Sequence, residues 1–218
     1  MTSISPIKTG LFWAGLTRAD HVCQLYPTDA TFLNALESYV ASGLRHGESV
    51  VVVATAAHLH ALEQRLRIGN WIDIDRARWE DRYIAILAQE TLDKILVDGW
   101  PNAHRFDDTI MQLIGRARGK EQRREVRIFG EMVSILWAQG KAGAVHRLEH
   151  LWGELVKREG VPLFCAYPRE GFGEDAQATV RQICAAHDRV LPDPMASVMS
   201  RVVQLPPREP GPPDRQAS

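Results

Sequence analysis

The sequence has little cysteine, no excess of charge of either sign and no long apolar run. Its three Cys, at positions 23, 165 and 184, are too few and too far apart for a disulfide framework or a zinc knuckle. The 26 Lys and Arg against 27 Asp and Glu leave a formal net charge of -1. A balance so near neutral argues against coating nucleic acid or a membrane through bulk charge. No segment approaches the ~20 apolar residues of a membrane span. The start, MTSISPIKTGLFWAGL, lacks the apolar run of a signal peptide. The expectation is a cytoplasmic protein with no membrane association and no direct nucleic-acid contact.

What is present is ordinary soluble material: 218 residues, 45% hydrophobic and 24% charged. That is enough chain to bury a core without staples. Residues 1–17 show no period and read as a lead-in. In residues 193–218 almost no apolar side chain follows Leu205, and the last part, LPPREPGPPDRQAS, is rich in Pro. Such a segment cannot offset its ordering entropy and reads as a disordered tail. Residues 18–192 then form one domain.

Within that domain, strand-like and helix-like segments alternate. His21–Tyr26, Ser49–Ala54, Tyr83–Leu87, Val126–Phe129 and Val161–Tyr167 read as strands, with a short one near Arg189–Leu191. SVVVVA is apolar on both faces, the habit of parallel strands covered by helices. Asp29 is placed to cap a helix running to Leu44, with Gly47 as its break. Thr55 is placed to cap a second, with Leu59, Leu62 and Leu66 as its buried stripe. Phe106–Arg118, Ala142–Arg158 and Glu174–His187 complete the set. This alternation predicts an α/β fold, a three-layer sandwich around a mostly parallel sheet. In such folds ligands gather beyond the C-terminal ends of the strands. That rule selects the stretches 26–29, 54–56, 89–91, 130–132 and 168–171.

The chemistry at those stretches is sparse. A phosphate loop needs glycines, a Lys and a Ser or Thr, yet the first strand runs into YPTDAT, which offers a ring, a missing donor and a carboxylate. Glu131, directly after VRIFG, is a metal-binding or water-activating acid, or else an N-cap or structural carboxylate, with the second reading favoured. His146 and His150 share a helix face beside Glu149, but the order HRLEH lacks the metalloprotease pattern and a third ligand, so they read as surface histidines and no metal site is expected. His58 and His60 point to opposite sides of their helix. Cys23 and Cys165 lie close only if their strands are neighbours, and they read as small hydrophobes before redox sensors. Trp137 and Trp152 fit helical core stripes, whereas Trp100, in DGWPN, either lines a pocket or covers a core. No cofactor and no catalytic constellation is expected.

Taken in order, H-x4-Y, GLxxGE, ETL, VDGxP, FGEMV-x-x-LW, LExLW and CAYP resemble the MEDS domain, the methanogen/methylotroph, DcmR sensory domain, over about residues 18–192. The resemblance implies a KaiC/RecA-like sandwich whose phosphate loop has degenerated. It also implies a sensory role, for small organic or hydrocarbon-derived ligands, beside DNA-binding or histidine-kinase modules. It brings no settled ligand or catalytic set. The motif residues transfer as positions: His21, Tyr26, Glu48, Glu90, Asp98, Glu131, Trp137, Glu149, Trp152 and Tyr167. Of these His21, Tyr26, Glu131 and Tyr167 are expected to line one ligand cleft. With short flanks and no helix-turn-helix, the chain reads as a stand-alone, non-enzymatic sensor. It would act through a histidine kinase, a transcriptional regulator or a second copy. A ligand-free interaction scaffold is the alternative, and residual nucleotide binding a third.

Overall fold

A computed structural model describes residues 12–69, 72–121, 123–169 and 183–191. The expected tail and most of the expected helix Glu174–His187 lie outside the described residues. The chain runs β1 (His21–Tyr26), α1 (Asp29–Arg45), β2 (Ser49–Ala54), α2 (Ala56–Gly69), α3 (Ile74–Trp79), β3 (Tyr83–Leu87) and α4 (Ala88–Ile95). It continues through the short strands β4 (Leu96–Val97) and β5 (Trp100–Pro101), then α5 (Ala103–Arg118), β6 (Val126–Gly130), α6 (Met132–Ala138) and α7 (Ala142–Glu159). It closes with β7 (Leu163–Pro168) and β8 (Arg189–Val190).

Six strands form one sheet in the order β3-β2-β6-β7-β1-β8. Every pairing in it is parallel. Alternate residues of each strand serve opposite layers. Cys23, Val51, Val53, Ile84, Ile128 and Cys165 pack with α4, α5, α6 and α7. Val22, Val50, Val52, Phe129, Phe164 and Ala166 pack with α1, α2 and α3. The result is the three-layer α/β sandwich that the alternation predicts. β2 is buried along its whole length, as its apolar sequence requires. Trp13, inside the stretch read as a lead-in, is fully buried, its ring 4.9 Å from that of Tyr39 and 5.0 Å from that of Phe164.

Two details of α1 fix the strand ends around it. Its cap is Thr28 rather than the expected Asp29: Thr28 Oγ1 accepts from the Thr31 N–H at 3.2 Å. Asp29 falls one residue later, in the first turn, where a carboxylate suits the positive end of the helix dipole. At the far end Gly47 takes φ +82°, and the Glu48 and Gly47 N–H groups donate back to the carbonyls of Gly43 and Leu44 at 3.0 and 3.2 Å. That is a Schellman closure, which needs a left-handed residue after the helix. The short pair β4–β5 is joined by Asp98 and Gly99, at φ +50° and +80°. Two consecutive left-handed residues make the tight hairpin turn whose twist matches its strands.

Candidate functional site

The first group of polar residues lies where β1, β2 and β6 end. Only Pro27 and Thr28 separate β1 from α1. So short a connection leaves no loop to surround a phosphate, and the Thr28 hydroxyl is committed to the cap. Glu131 follows β6 directly and is buried. Its own N–H donates to the Val53 carbonyl at 2.8 Å, which ties it to the end of β2. Its Oε2 accepts from the Thr55 N–H at 2.8 Å, and its Oε1 lies 2.6 Å from His58 Nδ1. A carboxylate only accepts, so Nδ1 carries the hydrogen and Nε2 is the free nitrogen. Glu131 holds the N-cap position of α6 but makes no capping bond with its side chain.

His58 stands in the first turn of α2, its side chain 15% exposed. The hydrogen bond to Glu131 holds its pKa above the ordinary 6.5, against the opposing effect of burial. The Phe32 ring packs edge-on against it at 4.8 Å, and Tyr26 stacks on Phe32 at 4.9 Å. Asp29 Oδ1 reaches to 4.0 Å from His58 Nε2. Burial, then Glu131 and Asp29, push the Tyr26 phenol above its usual range. The arrangement is an imidazole oriented by a buried carboxylate, with an aromatic wall beside it. It can donate or accept a hydrogen bond at Nε2 against an apolar surface.

His21 and Tyr167 belong elsewhere, so the four expected residues do not form one group. Both sit in a second cluster under α7, with Glu149, Cys165 and His187, all buried. The Tyr167 hydroxyl donates to Glu149 Oε1. Glu149 Oε2 lies 3.3 Å from His21 Nε2 and 3.5 Å from His187 Nε2. Cys165 Sγ lies 3.5 Å from His21 Nε2. Burial, reinforced by His187, drives the His21 pKa down to about 2. Burial raises those of Glu149, Cys165 and Tyr167. At neutral pH His21 is therefore an uncharged imidazole.

The remaining motif residues are mostly architectural. Glu48 makes a two-pronged ion pair with the buried Arg127. Gly43 leaves the room this needs, since a Cβ there would stand 2.8 Å from Arg127 Cδ. Trp152 is fully buried, edge-on to Phe106 at 4.8 Å. A Cβ on Gly130 would meet its ring at 3.3 Å. Trp137 is only half-buried, packed at the margin of the core rather than inside it as the helical stripe suggested. Glu90 and Asp98 are exposed. Trp100 is 57% exposed and leans on Gly143 at the start of α7. Cys23 and Cys165 are opposite each other on neighbouring strands, and burial raises both thiols, which makes them poor nucleophiles. His146 and His150 are exposed, while Glu149 between them turns inward.

Sequence reasoning missed His58 and His187. His58 was detectable: it occupies the first helical turn after a strand, at the edge where ligands gather. His187 carried no such signal, since its segment is short and lies beyond the last long strand.

Fold and sites together define a class: an α/β domain with a parallel sheet, polar groups collected at the strand ends and, among the described residues, no phosphate loop. The chain belongs to the MEDS family, the methanogen/methylotroph, DcmR sensory domain, whose profile matches residues 20–188. No curated protein matches the chain. Family membership gives it a sensory or signalling role. Among the described residues, no helix is long and apolar enough to cross a membrane.

Proposed function

We propose that the chain binds a small organic ligand at the strand ends, beside Tyr26, Phe32, His58 and Glu131, and signals without catalysis by changing its contacts with a partner protein. The observation that carries this reading is the His58–Glu131 pair. A buried carboxylate fixes one imidazole nitrogen at 2.6 Å and leaves the other 4.0 Å from the exposed Asp29, with the buried Phe32 ring edge-on to the imidazole. A few polar groups set against apolar surface is the usual composition of a small-molecule site. Asp29 and Glu131 supply negative charge where a nucleotide would place phosphate, and α1's first turn is occupied by its own cap. This favours an uncharged or cationic organic molecule over a nucleotide. A histidine kinase or a transcriptional regulator is the kind of partner that suits a sensory domain of this family.

Native mass spectrometry of the purified chain tests the reading. A retained small molecule, lost in the double variant Tyr26→Ala/Glu131→Gln, is the expected result. Equal retention by the double variant would remove the site from consideration. Stabilisation by ATP and Mg²⁺ in a thermal-shift assay would instead restore a nucleotide role. Exposed Ile68 and Trp79, 84% and 86% accessible on neighbouring helices, favour a second reading as an interaction scaffold. A partner adduct or dimer with no small molecule would support that one.

A further inference from the structure

His21, Glu149, Cys165 and His187 come from four separate parts of the chain: the start of β1, the middle of α7, the middle of β7 and the segment before β8. Their donor atoms all lie within 4.8 Å of one another, and all four residues are buried. We propose that these four residues bind one divalent first-row transition ion of the zinc class, in a closed four-coordinate site. The inference is independent of the ligand site at the strand ends.

Three of the six donor–donor separations already match such an ion, and the rest lie within 4.8 Å, so small side-chain shifts would close the tetrahedron. With Zn–N and Zn–O near 2.0–2.1 Å and Zn–S near 2.3 Å, a tetrahedron has edges of roughly 3.3–3.7 Å. The measured separations are 3.3 Å from His21 Nε2 to Glu149 Oε2, 3.5 Å from His187 Nε2 to Glu149 Oε2, and 3.5 Å from Cys165 Sγ to His21 Nε2. The charges also fit. A thiolate and a carboxylate cancel the ion's two positive charges, and two neutral imidazoles add none. The buried site is then neutral, which removes the penalty for burying an unpaired ion. Binding releases the proton of the Cys165 thiol.

The surroundings aim the lone pairs inward. His187 Nδ1 lies 2.6 Å from the Ile183 carbonyl, so Nδ1 carries the hydrogen and Nε2 is the donor atom. The Tyr167 hydroxyl occupies Glu149 Oε1 and leaves Oε2 for the ion. This is the outer ring of hydrogen bonds that orients metal ligands. Without an ion the group is short of hydrogens. Glu149 Oε2 and His187 Nε2 are both buried, and neither has a hydrogen-bond partner among the described residues. Acceptors facing one another across 3.5 Å cost free energy that a shared proton or a metal cation relieves. Cys and His donors together select a borderline ion such as Zn²⁺ over Mg²⁺ or Ca²⁺. With four protein donors, all buried, the site is of the structural kind. It would fasten residues 183–191 to the sheet.

The test is to express the whole chain, free of any affinity tag, in medium supplied with Zn²⁺ or with Co²⁺. Elemental analysis should find one ion per chain. The Co²⁺ form should show the intense visible bands of four-coordination and a thiolate-to-cobalt band in the near ultraviolet. Cys165→Ser should abolish the ultraviolet band. Tyr167→Phe, which keeps the core filled, should weaken binding about 10–100-fold, the usual effect of losing an outer hydrogen bond. His146→Gln/His150→Gln, at exposed positions, should change nothing. Circular dichroism reports whether each variant folds, and Tyr167→Phe decides the matter if Cys165→Ser does not. Substoichiometric metal in the wild-type chain, a Co²⁺ form without the thiolate band, or binding lost with His146 and His150 would each overturn the proposal.

Discussion

Arg127 is a cation placed inside the sheet, and its removal from water makes a sharp prediction. Its side chain is 4% exposed, whereas that of Glu48 is 22% exposed. The guanidinium bonds both Glu48 oxygens and the Tyr39 carbonyl at 3.2 Å, and lies 5.0 Å from the Tyr39 ring centre. The two halves of the pair are therefore unequal. Glu48→Ala strands a charge that cannot reach solvent, and breaking a buried pair in this way costs about 3–5 kcal/mol. Arg127→Met leaves a carboxylate that can turn toward water, so the loss is closer to that of one or two charged hydrogen bonds, about 1.5–3 kcal/mol. The double variant Glu48→Ala/Arg127→Met should be more stable than Glu48→Ala alone. Urea unfolding followed by circular dichroism measures all three, with comparison at constant slope. A larger loss for Arg127→Met than for Glu48→Ala, or additive single effects, would refute the reasoning.

Further expectations concern neighbouring features. Gly43→Ala should destabilise by about 1–3 kcal/mol in thermal unfolding, because its methyl would strike Arg127 and Val50 inside a filled core. Gly143→Ala should cost much less in the same assay, because the atom it meets is the tip of the half-exposed Trp100 ring. Thr28→Ala should cost about 1 kcal/mol through loss of the α1 cap, whereas Asp29→Ala, read by the same melting curves, should cost less. His58 has a folded pKa above its unfolded 6.5. Its contribution to stability is thus full below about pH 6.5 and fades as pH rises through the folded value. Urea midpoints across that range should show this fall in the wild type and its absence in Glu131→Gln.

The strands were legible because each is short, apolar and bounded by polar segments. β1, β2 and β3 coincide with their expected ranges, and β6 and β7 differ by one or two residues. The helices α3 and α4 were not seen, and α6 registered only through Trp137 on a helical stripe. They span six, eight and seven residues, too few turns for a 3.6-residue period to register. The sites were less legible than the fold. His58 and Glu131 stand 73 positions apart and meet only because β2 and β6 are neighbours. Tyr26 and Tyr167 both end apolar strands and read alike in sequence. The pleat sends their side chains to opposite layers, which no linear pattern states without the strand order.

The position of β1 between β7 and β8 sets the order in which the molecule can be completed. The earliest strand of the described sheet is not an edge strand once that sheet is finished. Both of its flanks wait for residues far along the chain: Cys165 is 144 positions from His21, and Asp188, whose carboxylate accepts the His21 N–H, is 167 positions away. Until then HVCQLY is an apolar ribbon with two open hydrogen-bonding sides, the kind of segment that recruits wrong partners or chaperones. Long-range closure of this sort slows folding. Synthesis must therefore run almost to the end of the domain before its earliest strand has a home.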